Sequence, residues 1–121
     1  MVQRQTVLKV ADNSGAKALR IIGIPGSSKK IAYIGDIVNA VVDRAETTGV
    51  VKDSEKVRVV VVRTRKEHRR EDGSYVRFDD NAGVVIDNQG APRGTRVFGP
   101  IAREVRDRGF TRITSLAQEV V

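Results

Sequence analysis

Residues Val57–Asp87 read VRVVVVRTRKEHRREDGSYVRFDDNAGVVID. The two ends are apolar and β-branched, and the middle is cationic. Val57–Arg65 reads as a strand with a buried centre at Val59–Val62, since four consecutive valines leave no polar face. Ser74–Phe78 and Gly83–Asp87 read as two more strands. Asp72-Gly73 is a turn dipeptide. The spacing predicts a ribbon over about residues 63–77 that extends from a β-core. Arg63, Arg65, Lys66, Arg69, Arg70 and Arg77 crowd along it, with His68 at its tip.

Outward from this segment the chain stays β-rich. Thr6–Ala11 alternates and stops at Asp12-Asn13-Ser14-Gly15. Lys17–Ile24 gives a second strand, ended by Pro25-Gly26-Ser27-Ser28, and Asp36–Arg44 a third. Thr95–Phe98 makes a short last strand. Several short strands between turn signals predict a small barrel or sandwich, and closure would hide the valine-rich edges. Helical periodicity enters only near the end. Pro100 suits a first helical position, Ile101 and Val105 share a face, and Gly109 can terminate. Ser115-Leu116-Ala117-Gln118 has capping-box spacing for a second helix. The expectation is one domain, 1–121: mainly β, a barrel followed by a basic loop and two short helices over about 91–121.

Composition removes several function classes. The 121 residues contain no Cys, which excludes disulfides, zinc–thiolate sites and thiol nucleophiles. The single His has no partner His or Cys for metal binding. Apolar runs are too short for a membrane helix. The opening MVQRQTVLKV lacks a signal pattern and reads as a mature cytoplasmic protein. No phosphate loop, dinucleotide fingerprint or Ser/His/Asp relay occurs. Asp79-Asp80, Asp36 and Asp87 are the carboxylates open to a metal-dependent nuclease, but adjacent strand residues point to opposite faces. Asp79-Asp80-Asn81 reads better as a turn. The expectation is no catalysis, no metal, no cofactor and no small-molecule substrate.

The net charge of +7 is clustered. Residues 63–77 hold six cations against three acids, and residues 93–112 six arginines against two. Arg forks fit phosphate oxygens, which points to nucleic acid; a solvated basic surface and an acidic protein partner are the alternatives. In the second block Arg93, Arg96, Arg103, Arg106, Arg108 and Arg112 interleave with Phe98 and Phe110. With five aromatics in the chain, the phenylalanines serve the core first, which disfavours a base-stacking platform. Phosphate and shape contacts to structured RNA fit better. Lys29 and Lys30, with Lys9, Lys17 and Arg20, form either a third contact patch or outward strand residues that discourage edge pairing.

Three stretches carry a resemblance: LKVADNSGA at 8–16, VVVVRTRKEHRREDGSYVRFDDNAGVVI at 59–86, and PRGTRVFGPIAREVR at 92–106. With ITSLAQEVV at 113–121, they resemble the bacterial large-subunit ribosomal protein L-fourteen family over essentially the whole chain. The middle stretch is the most specific, through Val60–Val62, Asp72, Gly73, Phe78, Asn81, Val84 and Val85. Val59 stands where the family has Ala or Gly, and Glu71 and Gln118 where it has Pro. The resemblance implies a five-stranded barrel with a projecting ribbon and a helical C-terminal region. It implies binding to 23S rRNA in the large subunit and intersubunit bridges to 16S rRNA. It also implies the large-subunit protein L-nineteen as a neighbour and a ribosome-silencing factor on the interface side. Carried over by position, Arg65, Lys66, Arg69 and Arg70 meet rRNA. Arg93, Thr95 and Arg96 of PRGTR, with Arg112, lie towards the bridge and the silencing factor. Asp12–Gly15 form a turn first and an RNA contact second.

Overall fold

The computed structural model describes residues 2–26 and 30–121. Lys29 of the expected lysine patch lies outside the described residues. In chain order the elements are β1 (Val2–Gln3), β2 (Val7–Val10), β3 (Leu19–Gly23), β4 (Ile31–Ala32), β5 (Ile37–Val42) and β6 (Lys56–Arg63). They continue with β7 (His68–Arg69), β8 (Tyr75–Val76), β9 (Ala82–Ile86), β10 (Val97–Ile101), α1 (Glu104–Asp107), α2 (Thr111–Leu116) and β11 (Ala117–Val120). Strands β2-β3-β5-β6-β9 close a five-stranded barrel, as expected. Neighbours pair antiparallel except β9 with β2, which closes the ring in parallel, Lys9 opposite Ala82. Closure removes the free edges of the valine strands.

The valine run of β6 is buried on both faces for a definite reason. Val57, Val59 and Val61 point into the barrel with Leu8, Leu19, Ile21 and Val38. Val60 and Val62 point outward, into a second core with Val84, Ile101, Val105 and Ile113. Strand β9 divides the same way: Val85 faces the barrel, and Ala82, Val84 and Ile86 face the outer core. The C-terminal segment therefore packs against the outside of the β6–β9 wall. Each fully buried aliphatic side chain contributes about 1.5–3 kcal/mol, and that burial fixes the position of the loop and helices.

The C-terminal region departs from expectation. Pro100 lies in β10, not at a helix start, and pairs with Glu119 across a parallel two-stranded sheet. Proline is tolerated there because β10 is an edge strand. Helix α1 begins at Glu104 and stops before Gly109, whose φ of 97° no L side chain readily adopts. The capping-box spacing at Ser115–Gln118 does not start a helix. Ser115 lies in the last turn of α2 and its hydroxyl donates to the Arg112 carbonyl, 2.8 Å. Ala117–Val120 is strand β11. The two short helices exist, but each is placed earlier or later than the capping signals suggest.

Candidate nucleic-acid interface

The cationic ribbon begins at a firm root. The buried Thr64 hydroxyl donates to the Lys66 carbonyl at 2.9 Å, and the Phe78 amide donates to the Thr64 carbonyl at 3.0 Å. The Arg65 amide donates to Asn81 Oδ1 at 2.9 Å. Beyond the root, β7 and β8 pair over two positions only, His68 with Val76 and Arg69 with Tyr75. The tip is Arg70–Ser74. Asp72 Oδ1 accepts from the Ser74 hydroxyl and amide, and these bonds hold its carboxyl below the ordinary range. Gly73 supplies the left-handed backbone, φ 88°. His68 is not at the tip. It sits half-buried in β7, 3.6 Å from Glu104.

The six ribbon cations fall into two groups. Arg63 is nearly buried; Nη1 donates to the Phe98 and Pro100 carbonyls at 3.0 and 3.2 Å. Its Nε forms an ion pair with Asp80 at 3.0 Å without an aligned hydrogen bond. Arg70 grips Glu104 of α1 with both prongs, 2.9 and 3.0 Å, and donates to the Val121 backbone oxygen at 2.6 Å. Burial pushes the Glu104 carboxyl up, but the Arg70 fork outweighs it and holds the group below the usual carboxylate range. Both arginines thus bind the ribbon and the C-terminal segment to the barrel. Arg65, Arg69 and Arg77 are exposed, and among the described residues their side chains have no hydrogen-bonding or ion-pair partner. Among the described residues the Lys66 ammonium meets only its neighbour Glu67, 3.1 Å away on the surface, a pairing worth little.

The loop after β9 is fastened differently. Asn13 Oδ1 accepts the amides of Thr95 and Arg96 at 2.7 and 3.0 Å, and its Nδ2 donates to the Thr95 hydroxyl at 2.8 Å. A Cβ on Gly94 would lie 2.7 Å from Asn13 Oδ1, so the glycine permits this approach. Asp12 is buried; it accepts the Ser14 amide and hydroxyl on Oδ1 and the Val85 amide on Oδ2, at 3.1, 2.6 and 2.9 Å. The DNS cluster is therefore a clasp between β2, β9 and the loop. Arg93 turns inward to Glu55, 2.7 Å, and to the Val50 carbonyl, 2.9 Å. That arginine and the Lys52 amide hold the Glu55 carboxyl below its ordinary range. Arg96 and Arg112 are exposed, with no hydrogen-bonding or ion-pair partner for their side chains among the described residues, and the same holds for Lys30.

Sequence reasoning gathered the cations but missed their acidic partners. Glu104 and Glu55 lie 34 and 38 residues from the arginines they hold, and no local spacing signals such a pair. The clasp was half-visible in Asp12-Asn13-Ser14 as a turn. Its reach across 82 residues to Thr95 was not.

The fold and exposed charge define a small basic β-barrel with two cationic appendages. The comparisons with known proteins then make the class specific. The family model described as Ribosomal protein L14p/L23e matches residues 1–121. Two relatives named large ribosomal subunit protein uL14 cover the chain and are themselves covered in full. The one from Aquifex aeolicus (strain VF5) is 57% identical over 121 residues, and the one from Aquifex pyrophilus 56%. The chain belongs to the ribosomal protein L14p/L23e family. Its role is that of a structural ribosomal protein. It is ribosome-associated, with ribosomal RNA and ribosomal proteins as its class of partner.

Proposed function

We propose that the chain acts as one domain, residues 1–121, that binds 23S rRNA in the large subunit and joins intersubunit bridges with 16S rRNA. One observation carries this reading: each appendage presents exposed cations with no hydrogen-bonding or ion-pair partner among the described residues, Arg65, Arg69 and Arg77 on the ribbon and Arg96 and Arg112 on the C-terminal region. Each appendage is itself fixed to a rigid barrel. Free guanidinium forks on fixed supports neutralise phosphates of separate RNA helices and hold the helices together. Lys66, Lys29 and Lys30 add to the rRNA-facing charge. Arg63, Arg70 and Arg93 act at one remove, holding the ribbon and loop in position. Thr95, Arg96 and Arg112 form the side turned to the 16S bridge and to a ribosome-silencing factor. The large-subunit protein L-nineteen is the protein neighbour. The setting is the cytoplasm, on the ribosome.

The experiment is sedimentation of a cell lysate through sucrose gradients at low and moderate salt, with the protein located by immunoblot. Co-migration with free large subunits and whole ribosomes is expected. A position only at the top of the gradient, with ribosomes intact, would sink the assignment. Cross-linking to 23S and 16S rRNA then tests the two RNA partners separately.

A further inference from the structure

A cleft of about 350 Å³ opens beside the root of the ribbon, lined by Tyr33, Ile34 and Thr64 and by the run Lys66–Arg69, which includes the acid Glu67. A second hollow shares Tyr33, Ile34 and His68 and continues towards Asp36 and Arg108. Tyr33 is the aromatic of this wall, and it is 45% exposed. It belongs to neither core. Its neighbour Ile34 is buried in the outer core, and the Tyr33 amide donates to the buried Asp36 Oδ2 at 2.9 Å. The main chain beneath the ring is therefore pinned while the ring faces the cleft. Arg69, on the same cleft, is exposed and has no internal partner among the described residues. Among the described residues the Lys66 ammonium is engaged by the exposed Glu67 alone.

An exposed aromatic on a fixed backbone, with Arg69 and Lys66 lining the same cleft, meets both needs of a single unstacked nucleotide. The ring offers a face to the base, and the cations take the phosphate. We propose that the Tyr33 cleft receives one unpaired nucleobase of the bound rRNA, stacked on Tyr33, with its phosphate on Arg69 and Lys66. This rests on the rRNA-binding reading and adds a base-directed site to an interface otherwise built on phosphates. The cations favour a nucleotide over an apolar peptide segment, because a phosphate meets them with a full charge whereas an uncharged peptide offers carbonyl oxygens alone.

The test is filter binding of a 23S rRNA transcript across a salt series, with wild type, Tyr33→Ala, Tyr33→Phe and Arg69→Ala. Ultraviolet cross-linking of reassembled large subunits accompanies it. Tyr33→Ala should weaken binding about tenfold, the effect of removing one stacked base, with the salt slope unchanged. Tyr33→Phe should bind as wild type. Arg69→Ala should shallow the slope by about one phosphate. A nucleotide adduct on the Tyr33 peptide is expected. Wild-type affinity in Tyr33→Ala, or a polypeptide cross-linked at Tyr33 in place of a nucleotide, overturns the proposal while rRNA binding stands. If wild type itself fails to bind the transcript, the parent reading falls and this one with it. Should Tyr33→Ala misfold, the Tyr33→Phe affinity and the adduct decide the matter.

Discussion

The ribbon and the loop after β9 carry cations of the same kind, yet they are fastened in different proportions by charge and by amide bonds. The ribbon has a two-position ladder and is latched to α1 by charge, Arg70 on Glu104. The loop is latched chiefly by the neutral Asn13, which accepts the amides of Thr95 and Arg96, with one ion pair, Arg93 on Glu55, at its start. Charge latches weaken with salt and with protonation of the acid; amide clasps do so far less. The difference divides the arginines of each region by partner rather than by position. One set has buried or half-buried acceptors and holds the appendage in place. The other set is exposed and faces outward. A cluster of arginines in a sequence therefore holds two functions, and the acids elsewhere in the chain decide which arginine has which.

The largest break in this contrast should come at the clasp. Asp12→Ala leaves the buried Val85 amide without its acceptor and frees Ser14, a cost of about 3 kcal/mol. Urea denaturation should show the midpoint falling, with the loss nearly independent of salt. Arg70→Ala strips the half-buried Glu104 of its fork and should cost about 1–2 kcal/mol. Amide exchange over residues 68–76 should rise more than in the barrel strands. This separates Arg70 from Arg69, its sequence neighbour: Arg69→Ala should leave the melting temperature alone, and the paired substitution should lower it through Arg70.

Acidity sharpens the same comparison. The folded Glu104 carboxyl titrates below its unfolded value. The stability it lends is present in full above the ordinary carboxylate range and is lost as pH falls through the depressed folded value. In NMR spectra, resonances of Arg70 and α1 should shift in that window, and Glu104→Gln should remove that shift while leaving the one Asp72 gives at the ribbon tip. Asn13→Ala has the smallest expected effect, about 1 kcal/mol, because the freed amides of Thr95 and Arg96 can reach water. Proteolysis of the loop should quicken while the ribbon is unchanged.

The barrel was legible because its signal is repeated: apolar β-branched runs bounded by turn signals such as Asp12–Gly15. Val59–Val62 read as a buried strand centre; the second core on the outside of that wall comes from the packing of the C-terminal segment. Strands β1, β4 and β7 have two residues each; no period exists in so short a segment, and tertiary partners alone create them. Strand β11, AQEV, has little intrinsic strand preference. It is made by pairing with β10. At the interface the residue types and their clustering were legible. The partition of cations was not, since it depends on Glu55, Asp80 and Glu104 meeting distant arginines in the fold.

The central claim is that the exposed cations of the ribbon neutralise rRNA phosphates while Arg63 and Arg70 hold it in place. The direct measurement is the salt dependence of affinity for 23S rRNA, wild type against Arg65→Ala/Lys66→Ala/Arg69→Ala/Arg77→Ala. The account predicts a log–log slope shallower by about 0.7–0.9 for each phosphate that the variant no longer neutralises, with the melting temperature unchanged. An unaltered slope, or unfolding of the quadruple variant, would contradict it.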